Sequence, residues 1–221
     1  MRQVEDTFMH KGLRKKLMQQ LRERGITDET VLAAMNNIPR HFFLDAAFDK
    51  IAYEDRAFEI GEGQTISMPY TVAYQTELLQ IKRNDKVLEV GTGSIYQATV
   101  LAELGAKVYT IERQKKLFEH QKANYLFRTK YPNIKFFYGD GFQGLPTFAP
   151  FDKVIITAAA PFLPPKLIEQ LKVGGIMVIP VNEGAENQQR MRRIIKLPDG
   201  SVSEEILEAC SFVPMLTGKV G

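Results

Sequence analysis

Short apolar runs alternate with amphipathic stretches through the middle of this sequence. The runs have the length of buried strands, and the stretches between them repeat apolar residues at the spacing of an α-helix. The predicted strands occupy residues 87–90, 108–111, 134–138, 151–157 and 176–180. The predicted helices between them occupy residues 96–104, 114–129 and 164–171. Alternation of this kind favours right-handed crossovers and predicts a doubly wound, mostly parallel α/β sheet.

The N-terminal part of the chain has helical character. Helices are predicted at residues 7–24, 28–36 and 68–80, and residues 50–68 are predicted to be irregular. In the first helix Phe8, Leu13 and Leu17 have the spacing of a buried face. The other face is basic and includes Arg14, which is typical either of a solvent-exposed surface or of a contact with an acidic partner.

The C-terminal part contains two further extended segments. Residues 190–197 and 204–213 are separated by Pro198-Asp199-Gly200-Ser201, a strong turn signal. So short a link makes this pair antiparallel, and the sheet then has seven strands with an antiparallel C-terminal edge. Nothing in the sequence indicates a second domain, so one domain is predicted for residues 1–221. Its parts are the N-terminal helices and a loop (1–80), a core (83–180) and C-terminal strands (181–221).

A glycine-containing loop follows the first strand of the predicted core. The apolar run 87–90 ends at Gly91 and Gly93, and a predicted helix begins at Tyr96. Glycine lets the backbone approach a ligand closely, and a helix N-terminus offers unpaired N–H groups to a carboxylate or phosphate. The loop is therefore a candidate ligand site, and an ordinary strand-to-helix turn is the alternative.

An acidic residue narrows the class of ligand. Glu112 stands at the end of the strand 108–111, where a carboxylate can accept hydrogen bonds from both hydroxyls of a ribose. This favours a ligand that contains adenosine. The dinucleotide pattern G-x-G-x-x-G would need glycine where Tyr96 stands, so a nicotinamide cofactor is disfavoured.

S-adenosylmethionine (SAM) carries adenosine but no phosphate, and it fits the loop better. Methyltransferase loops often have the pattern E/D-x-G-x-G-x-G, which Glu89, Gly91 and Gly93 match. Ile95 stands where that pattern has its last glycine. The loop therefore predicts a SAM site with one departure from the pattern.

Two further polar residues have both a functional and a structural interpretation. Asp140 follows the strand 134–138, at the edge where open parallel sheets bind ligands. Its carboxylate could pair with the adenine amino group, or it could stabilise a simple turn. Ser67 precedes the helix 68–80, and it could cap that helix or belong to a polar loop that closes over a cofactor.

Composition disfavours several classes of function. Among 221 residues, 29 basic side chains nearly balance 26 acidic ones, and a net charge of +3 does not indicate a nucleic-acid partner. Cys210 is the only cysteine, so no intrachain disulfide can form, and we expect a small buried side chain there. We find no secretory signal, no apolar run of membrane-spanning length and no cluster with metal-ligand spacing. We therefore expect a cytoplasmic protein without a metal or a membrane partner.

Several longer stretches carry a more specific signal. They are Gly63-Gln64-Thr65-Ile66-Ser67, residues 87–94 with Tyr96-Gln97-Ala98, Gly139-Asp140-Gly141, Pro150-Phe151-Asp152, Thr157-Ala158-Ala159-Ala160-Pro161, Gly174-Gly175 and Phe212-Val213-Pro214. With these stretches the chain closely resembles, over nearly its whole length, the protein-L-isoaspartate (D-aspartate) O-methyltransferases. The resemblance implies the Rossmann-like fold of class I SAM-dependent methyltransferases.

The resemblance also implies an activity. The family methylates the carboxylate of L-isoaspartyl and D-aspartyl residues in damaged proteins and peptides, and S-adenosyl-L-homocysteine is the product. The ester then cyclises to a succinimide, whose hydrolysis returns some normal aspartate. The partners implied are isoaspartyl-containing proteins and peptides, and we expect a monomer.

Individual residues match the family's functional positions. Ser67 matches the active-site serine, which also contacts the substrate, and Val213 matches the tail that engages the substrate backbone. The resemblance implies a cofactor pocket formed by Gln64, Thr65, Ile66, Glu89, Gly91, Gly93, Glu112, Asp140 and Gly141. Segment 1–80 would then supply the active-site loop, 83–180 the SAM site and 181–221 the substrate side.

Three positions depart from the family pattern. Ile95 replaces a usual glycine, Met68 a residue that is often glutamine in bacterial relatives, and Ser211 a frequent arginine. Because a branched side chain near the loop could narrow the pocket or displace backbone, we expect Ile95 to weaken SAM binding without abolishing it. Two alternatives remain at this point: a methyltransferase with another acceptor, and a non-catalytic SAM-binding protein whose site Ile95 has closed.

Overall fold

The computed structural model describes residues 5–184 and 188–221. In it, the apolar runs predicted as strands form one seven-stranded sheet. A separate hairpin is formed by β1 (Phe58–Gly61) and β2 (Gln64–Ile66). The strands of the main sheet are β3 (Lys86–Val90), β4 (Lys107–Glu112), β5 (Ile134–Tyr138), β6 (Phe151–Ile156), β7 (Leu171–Glu183), β8 (Gln188–Lys196) and β9 (Val202–Cys210). The helices are α1 (Phe8–Glu23), α2 (Glu29–Asn37), α3 (Pro69–Leu79), α4 (Tyr96–Glu103), α5 (Lys115–Asn124) and α6 (Pro165–Gln170).

The strand order confirms the predicted fold class. It is β5-β4-β3-β6-β7-β8-β9, with parallel pairing from β5 to β7 and antiparallel pairing from β7 to β9. The chain starts the sheet in its middle, at β3, and the direction of winding changes between β3 and β6. In open α/β sheets the carboxyl ends of strands at such a switch point form a crevice that binds ligands.

Apolar side chains cover both faces of the central strands. Successive strand residues point to opposite faces, so Val87 and Ile155 join one core cluster while Leu88 and Val154 join another. All four side chains are completely buried. This two-sided burial is why the parallel strands appear in the sequence as continuous apolar runs.

The N-terminal helices pack on the core through a third cluster, which reaches Tyr96 and Val100 of α4. The predicted orientation of α1 was partly wrong. Phe8 lies 93% exposed at the first helical position, and Arg14, predicted on the basic face, is buried and pairs with Asp6. Thr7 caps the helix by accepting a hydrogen bond from the N–H of His10, so α1 begins at Phe8 itself.

Two segments have structure that the pattern did not predict. The hairpin β1–β2 lies within residues 50–68, and its turn is made by Gly61, Glu62 and Gly63 with positive φ. Helix α5 ends at Asn124, short of the predicted residue 129, because Tyr125 adopts an extended backbone and buries its ring in the core. Tertiary packing of aromatic side chains therefore overrides helical propensity here.

The C-terminal strands form the antiparallel edge as predicted. The proposed boundary between residues 180 and 181 falls inside β7, so that division does not follow the architecture. Cys210, expected to be buried, is only partly buried at the end of β9. Within the described ranges, none of the helices combines the length and apolar character needed to span a bilayer.

Candidate active site

A cavity of about 580 Å³ opens where β3, β4 and β6 end. The hairpin β1–β2 and the start of α3 form one wall, and the tail after β9 forms the other. The predicted site residues that line it are Gln64, Thr65, Ile66, Ser67, Gly91, Gly93, Glu112, Gly141 and Val213. Its position agrees with the crevice expected at the switch point of the sheet, and its volume is in the range of small-molecule sites.

The glycine loop forms the floor of the cavity. Gly91 has φ of 99°, and a Cβ atom there would lie 2.4 Å from Thr157 Oγ1. Thr157 follows β6, and its hydroxyl donates a hydrogen bond to the carbonyl of Gly91 at 2.8 Å. The N–H of Gly91 donates to the carbonyl of Ile111. Only glycine fits this position, because both the backbone conformation and the neighbouring strand exclude a side chain.

Glu112 is fixed at the end of β4 by backbone groups. Its Oε2 accepts a hydrogen bond from the N–H of Gly93 at 3.1 Å, and its Oε1 accepts one from the N–H of Gln114 at 2.9 Å. The side chain lines the cavity although only 5% of it is exposed. Each carboxylate oxygen has a second lone pair, so this group remains able to accept hydrogen bonds from ligand hydroxyls.

Glu89 lies in a different place from the one predicted. It pairs with Thr110 and so shares a face of the sheet with Glu112, but it lies two residues farther from the edge, where it is completely buried and does not line the cavity. Burial raises the pKa of Glu89 to about 8, and weak contacts with the Thr110 hydroxyl and the Ala98 N–H offset this only in part. Neither carboxylate oxygen has a partner of hydrogen-bond geometry in the described chain. A direct contact between Glu89 and a cofactor is therefore not supported.

Asp140 is also outside the cavity wall. Its Oδ1 accepts a hydrogen bond from the N–H of Phe142 at 2.9 Å, which is the turn role considered for it from the sequence. The neighbouring Gly141 does line the cavity. An adenine contact by Asp140 remains a prediction.

Ser67 lines the cavity where β2 leads into α3. Of the two interpretations of Ser67, the structure does not support the helix cap: the N-cap residue is Met68, and no side chain of the cap position bonds to the helix. Instead Asp55 reaches the helix start, where its Oδ1 accepts a hydrogen bond from the N–H of Tyr70 at 2.7 Å. The Ser67 hydroxyl has no hydrogen-bond partner within residues 5–184 and 188–221, whereas its carbonyl accepts one from Arg40 Nη2 at 2.8 Å.

The tail at Val213 is held by an isolated β-bridge between Ala159 and Pro214. The N–H of Ala159 donates to the carbonyl of Val213 at 2.8 Å, and the N–H of Met215 donates to the carbonyl of Ala159 at 2.7 Å. Gln189 of β8 fixes the preceding residue, because its side-chain amide both accepts from the Phe212 N–H and donates to the Phe212 carbonyl. No local motif indicated this role of Gln189, because the residue contacts the tail only through the antiparallel pairing of distant segments.

Ile95 occupies the N-cap position of α4 with φ of 70°. A β-branched residue in this left-handed conformation is strained. The side chain is 1% exposed and packs into the core cluster that contains Leu79 and Ala98. It does not line the cavity, so the structure does not support closure of the site by the Ile95 side chain.

Three potential metal ligands come together away from the cavity, contrary to the sequence-based expectation. Atoms of Asp6, His10 and His41 lie within 4.8 Å of one another, although His41 is remote from the other two in the sequence. The two imidazole rings stack with centroids 3.8 Å apart, so their in-plane lone pairs do not converge on one point. Asp6 is already paired with Arg14. The cluster therefore acts as a packed hydrogen-bonding network.

Comparisons with known proteins agree with the geometry of the cavity. The family model described as protein-L-isoaspartate(D-aspartate) O-methyltransferase matches residues 12–220. A Cytophaga hutchinsonii protein-L-isoaspartate O-methyltransferase is 51% identical over 218 residues, which is 99% of this chain and 96% of that protein.

Two solved structures are also similar. One protein-L-isoaspartate O-methyltransferase is 28% identical with a TM-score of 0.82, and the match covers 91% of this chain and 65% of that longer chain. A Plasmodium falciparum protein assigned to the same methyltransferases, in complex with S-adenosyl-L-homocysteine, is 25% identical with a TM-score of 0.77. That match covers 92% of this chain and 98% of the other.

Proposed function

This chain belongs to the protein-L-isoaspartate (D-aspartate) O-methyltransferase family, and we propose on that basis that its cavity performs SAM-dependent methylation of isoaspartyl and D-aspartyl carboxylates. One observation supports this proposal: the cavity has two halves, the first suited to binding adenosine and the second suited to binding a peptide substrate. Glu112 and the glycine loop form the first, and Ser67 with Val213 forms the second. We further propose that the enzyme acts as a cytoplasmic monomer, independent of nucleic acid.

The residues of the first half fit the cofactor. Gly91 has no side chain and its backbone lines the cavity, so a ligand can approach that backbone closely, and Glu112 presents a carboxylate to the ribose hydroxyls. When bound, SAM supplies an electrophilic methyl group on a sulfonium. Gln64, Thr65 and Ile66 of β2 also line the cavity and would cover the ligand there. Such a cover excludes water, which strengthens electrostatic interactions within the site.

The substrate half needs no general base. A carboxyl group with a pKa near 4 is ionised at neutral pH, so the acceptor is already a nucleophile. This agrees with the cavity lining, which among the described residues includes no histidine. We assign to the Ser67 hydroxyl the task of donating a hydrogen bond that orients the acceptor carboxylate. Orientation of this kind lowers the barrier without forming a covalent intermediate.

Replacing Ser67 by alanine is expected to lower kcat about 10- to 100-fold, with SAM affinity nearly unchanged. The estimate follows from the energy of one hydrogen bond to a charged group, about 1.5–3 kcal/mol. Initial rates with an isoaspartyl peptide and calorimetry with SAM measure the two quantities. Ser94→Ala is the comparison: its Oγ accepts from the N–H of Tyr96 in the loop, so its loss should affect SAM affinity first. A methylated or acylated Ser67 trapped during turnover would exclude the proposed role.

The tail supplies a means of distinguishing isoaspartate from aspartate. The two residues differ in the position of one methylene, and an apolar contact with one methylene discriminates by only about 1–3 kcal/mol. Val213 uses its carbonyl to pair with Ala159, while its N–H has no partner in the described chain. We propose that a peptide backbone pairs with this free edge, as in strand addition, and that the register of pairing selects the longer main chain.

Methyl transfer from labelled SAM tests the whole proposal. Paired isoaspartyl and aspartyl peptides of one sequence are supplied as acceptors, and we expect a base-labile ester on the isoaspartyl peptide alone. Equal turnover of both peptides would contradict selection by the tail. Transfer to nucleic acid, with binding that weakens steeply as salt is added, would favour a different acceptor class.

Replacing Ile95 by glycine is expected to have opposite effects on stability and on cofactor binding. Loss of a buried side chain costs about 2–5 kcal/mol, while relief of backbone strain returns about 1–3 kcal/mol, so the variant should unfold more easily. The relaxed loop should bind SAM severalfold more tightly. Ile95→Val is the control, because valine keeps the β-branched strain and most of the buried volume. Unchanged SAM affinity in Ile95→Gly would show that the strain has no effect on the cofactor.

A further inference from the structure

A fully buried arginine lies directly behind the proposed catalytic serine. Arg40 begins a short 3-10 turn, Arg40–Phe43, and none of its surface is exposed. Its Nη2 donates to the carbonyl of Ser67 at 2.8 Å, and its Nε donates to the carbonyl of Ala52 at 3.1 Å. The guanidinium lies 5.0 Å from the ring centroid of Tyr96, another residue that lines the cavity.

Among the described residues Arg40 has no acidic partner, unlike the other deeply buried arginine. Arg14 is neutralised by Asp6 at 3.0 Å. No carboxylate of the described residues forms an ion pair with Arg40, and its Nη1 has no hydrogen-bond partner there. Burial lowers the pKa of Arg40 to about 10, which still leaves the side chain charged at neutral pH. The fold therefore holds an uncompensated positive charge next to the site.

Such a charge is destabilising unless something compensates it. Burying a cation without a counter-ion removes its hydration, and two backbone carbonyls replace only part of that interaction. Local features that oppose folding in this way are concentrated at functional sites. The substrate of the proposed reaction is an anion, and its carboxylate would bind on the other side of Ser67.

We propose that Arg40 is a positioning residue of the methyl-transfer site, and that its charge is the counter-charge for the substrate carboxylate. It fixes the Ser67 carbonyl and thereby the direction of the Ser67 hydroxyl. In the low dielectric of a closed site, its field also acts across the Ser67 residue on the anion. This inference rests on the proposed function, because it takes an isoaspartyl carboxylate as the group bound beside Ser67.

The competing explanation is a purely structural one, in which Arg40 only ties two loop carbonyls together. The two explanations differ in one measurable property, the preference of the site for a charged ligand. An isoaspartyl peptide and its isoasparaginyl counterpart have nearly the same shape, but only the first is an anion. The ratio of their affinities, measured by competition with S-adenosyl-L-homocysteine present, isolates the effect of charge from the effect of shape.

The test compares Arg40→Gln and Arg40→Lys with Arg14→Gln as the matched control. We expect Arg40→Gln to lower the preference for the anionic peptide about tenfold or more. Arg14→Gln removes a buried arginine that is already neutralised, so it should reduce stability without changing the preference. An unchanged preference in folded Arg40→Gln would overturn the proposal.

The lysine variant keeps the proposal testable if Arg40→Gln does not fold. A buried ammonium loses its proton at lower pH than a guanidinium does, so the preference of Arg40→Lys should decline between pH 7 and 9 while that of the wild type stays constant. A constant preference in Arg40→Lys over that range would overturn the proposal. Failure of the wild-type protein to methylate isoaspartyl peptides is a separate result, which would refute the proposed function itself.

Discussion

Alanine at position 91 is expected to reduce SAM affinity at least a hundredfold, the largest effect of any single substitution in the cavity. The added Cβ atom would lie 2.4 Å from Thr157 Oγ1, closer than such atoms approach in folded proteins. The alanine would also have to keep a φ of 99°, a backbone conformation that residues other than glycine rarely adopt. Strain of about 1–3 kcal/mol and the resulting shift of the loop both act on the backbone that approaches the cofactor.

Calorimetric titration with SAM measures this loss directly. Gly174→Ala is the matched control, because Gly174 has φ of 74° but no atom within 4 Å of its added Cβ, and it lies outside the cavity. That variant separates backbone strain from collision with a neighbour. Removing the obstacle in Gly91→Ala/Thr157→Ala should recover part of the affinity. Wild-type affinity in Gly91→Ala would mean that the loop does not approach the cofactor as proposed.

The parts of the fold that could be predicted are those that local sequence determines. The central strands were predicted because burial on both faces makes each of them a continuous apolar run. Glu112 was placed correctly because it directly follows such a run and therefore reaches the edge of the sheet. Glu89 stands within a similar run and pairs with Thr110, so it points to the same face of the sheet as Glu112 but lies two residues farther from the edge, where it is completely buried. A shift of two residues along the strand therefore decides whether a carboxylate lines the cavity or is buried beneath it.

The parts that could not be predicted depend on contacts between distant residues. From the sequence, Ser67 was a candidate cap for α3 because it directly precedes the helix. In the structure Asp55, which is 15 residues before Tyr70, accepts the hydrogen bond from the Tyr70 N–H. Arg40 and Gln189 hold the serine and the tail, and neither stands near its partner in the sequence. Only the packed N-terminal helices and the antiparallel edge bring these groups together, so no local pattern could indicate them.

Stability should depend on pH through Glu89, with a sign opposite to that of most carboxylates. The pKa of Glu89 is about 8 in the folded protein, whereas its ordinary value is 4.5, so the folded protein retains a proton that the unfolded chain releases. The free energy of unfolding should therefore be highest below pH 4.5 and fall as the pH rises to about 8. Glu89→Gln has no such proton, and its advantage over the wild type should grow to about 4 kcal/mol across that window.

Urea unfolding at several pH values between about 3 and 8.5 measures this difference. The quantity compared is the slope of the unfolding free energy against pH, because the cost of burying the amide of Glu89→Gln is the same at every pH. Glu103→Gln is a control whose effect on stability has the opposite dependence on pH. Burial raises the pKa of Glu103, but hydrogen bonds from Tyr131 and Asn37 and the charge of Lys130 outweigh burial and lower the pKa overall. Glu103 therefore stabilises the fold above its unfolded pKa, and Glu103→Gln should lose stability at neutral pH and regain wild-type behaviour in acid. Equal slopes for the wild type and Glu89→Gln would show that Glu89 is ionised in the folded protein, and that the space beneath the glycine loop is more polar than its lining indicates.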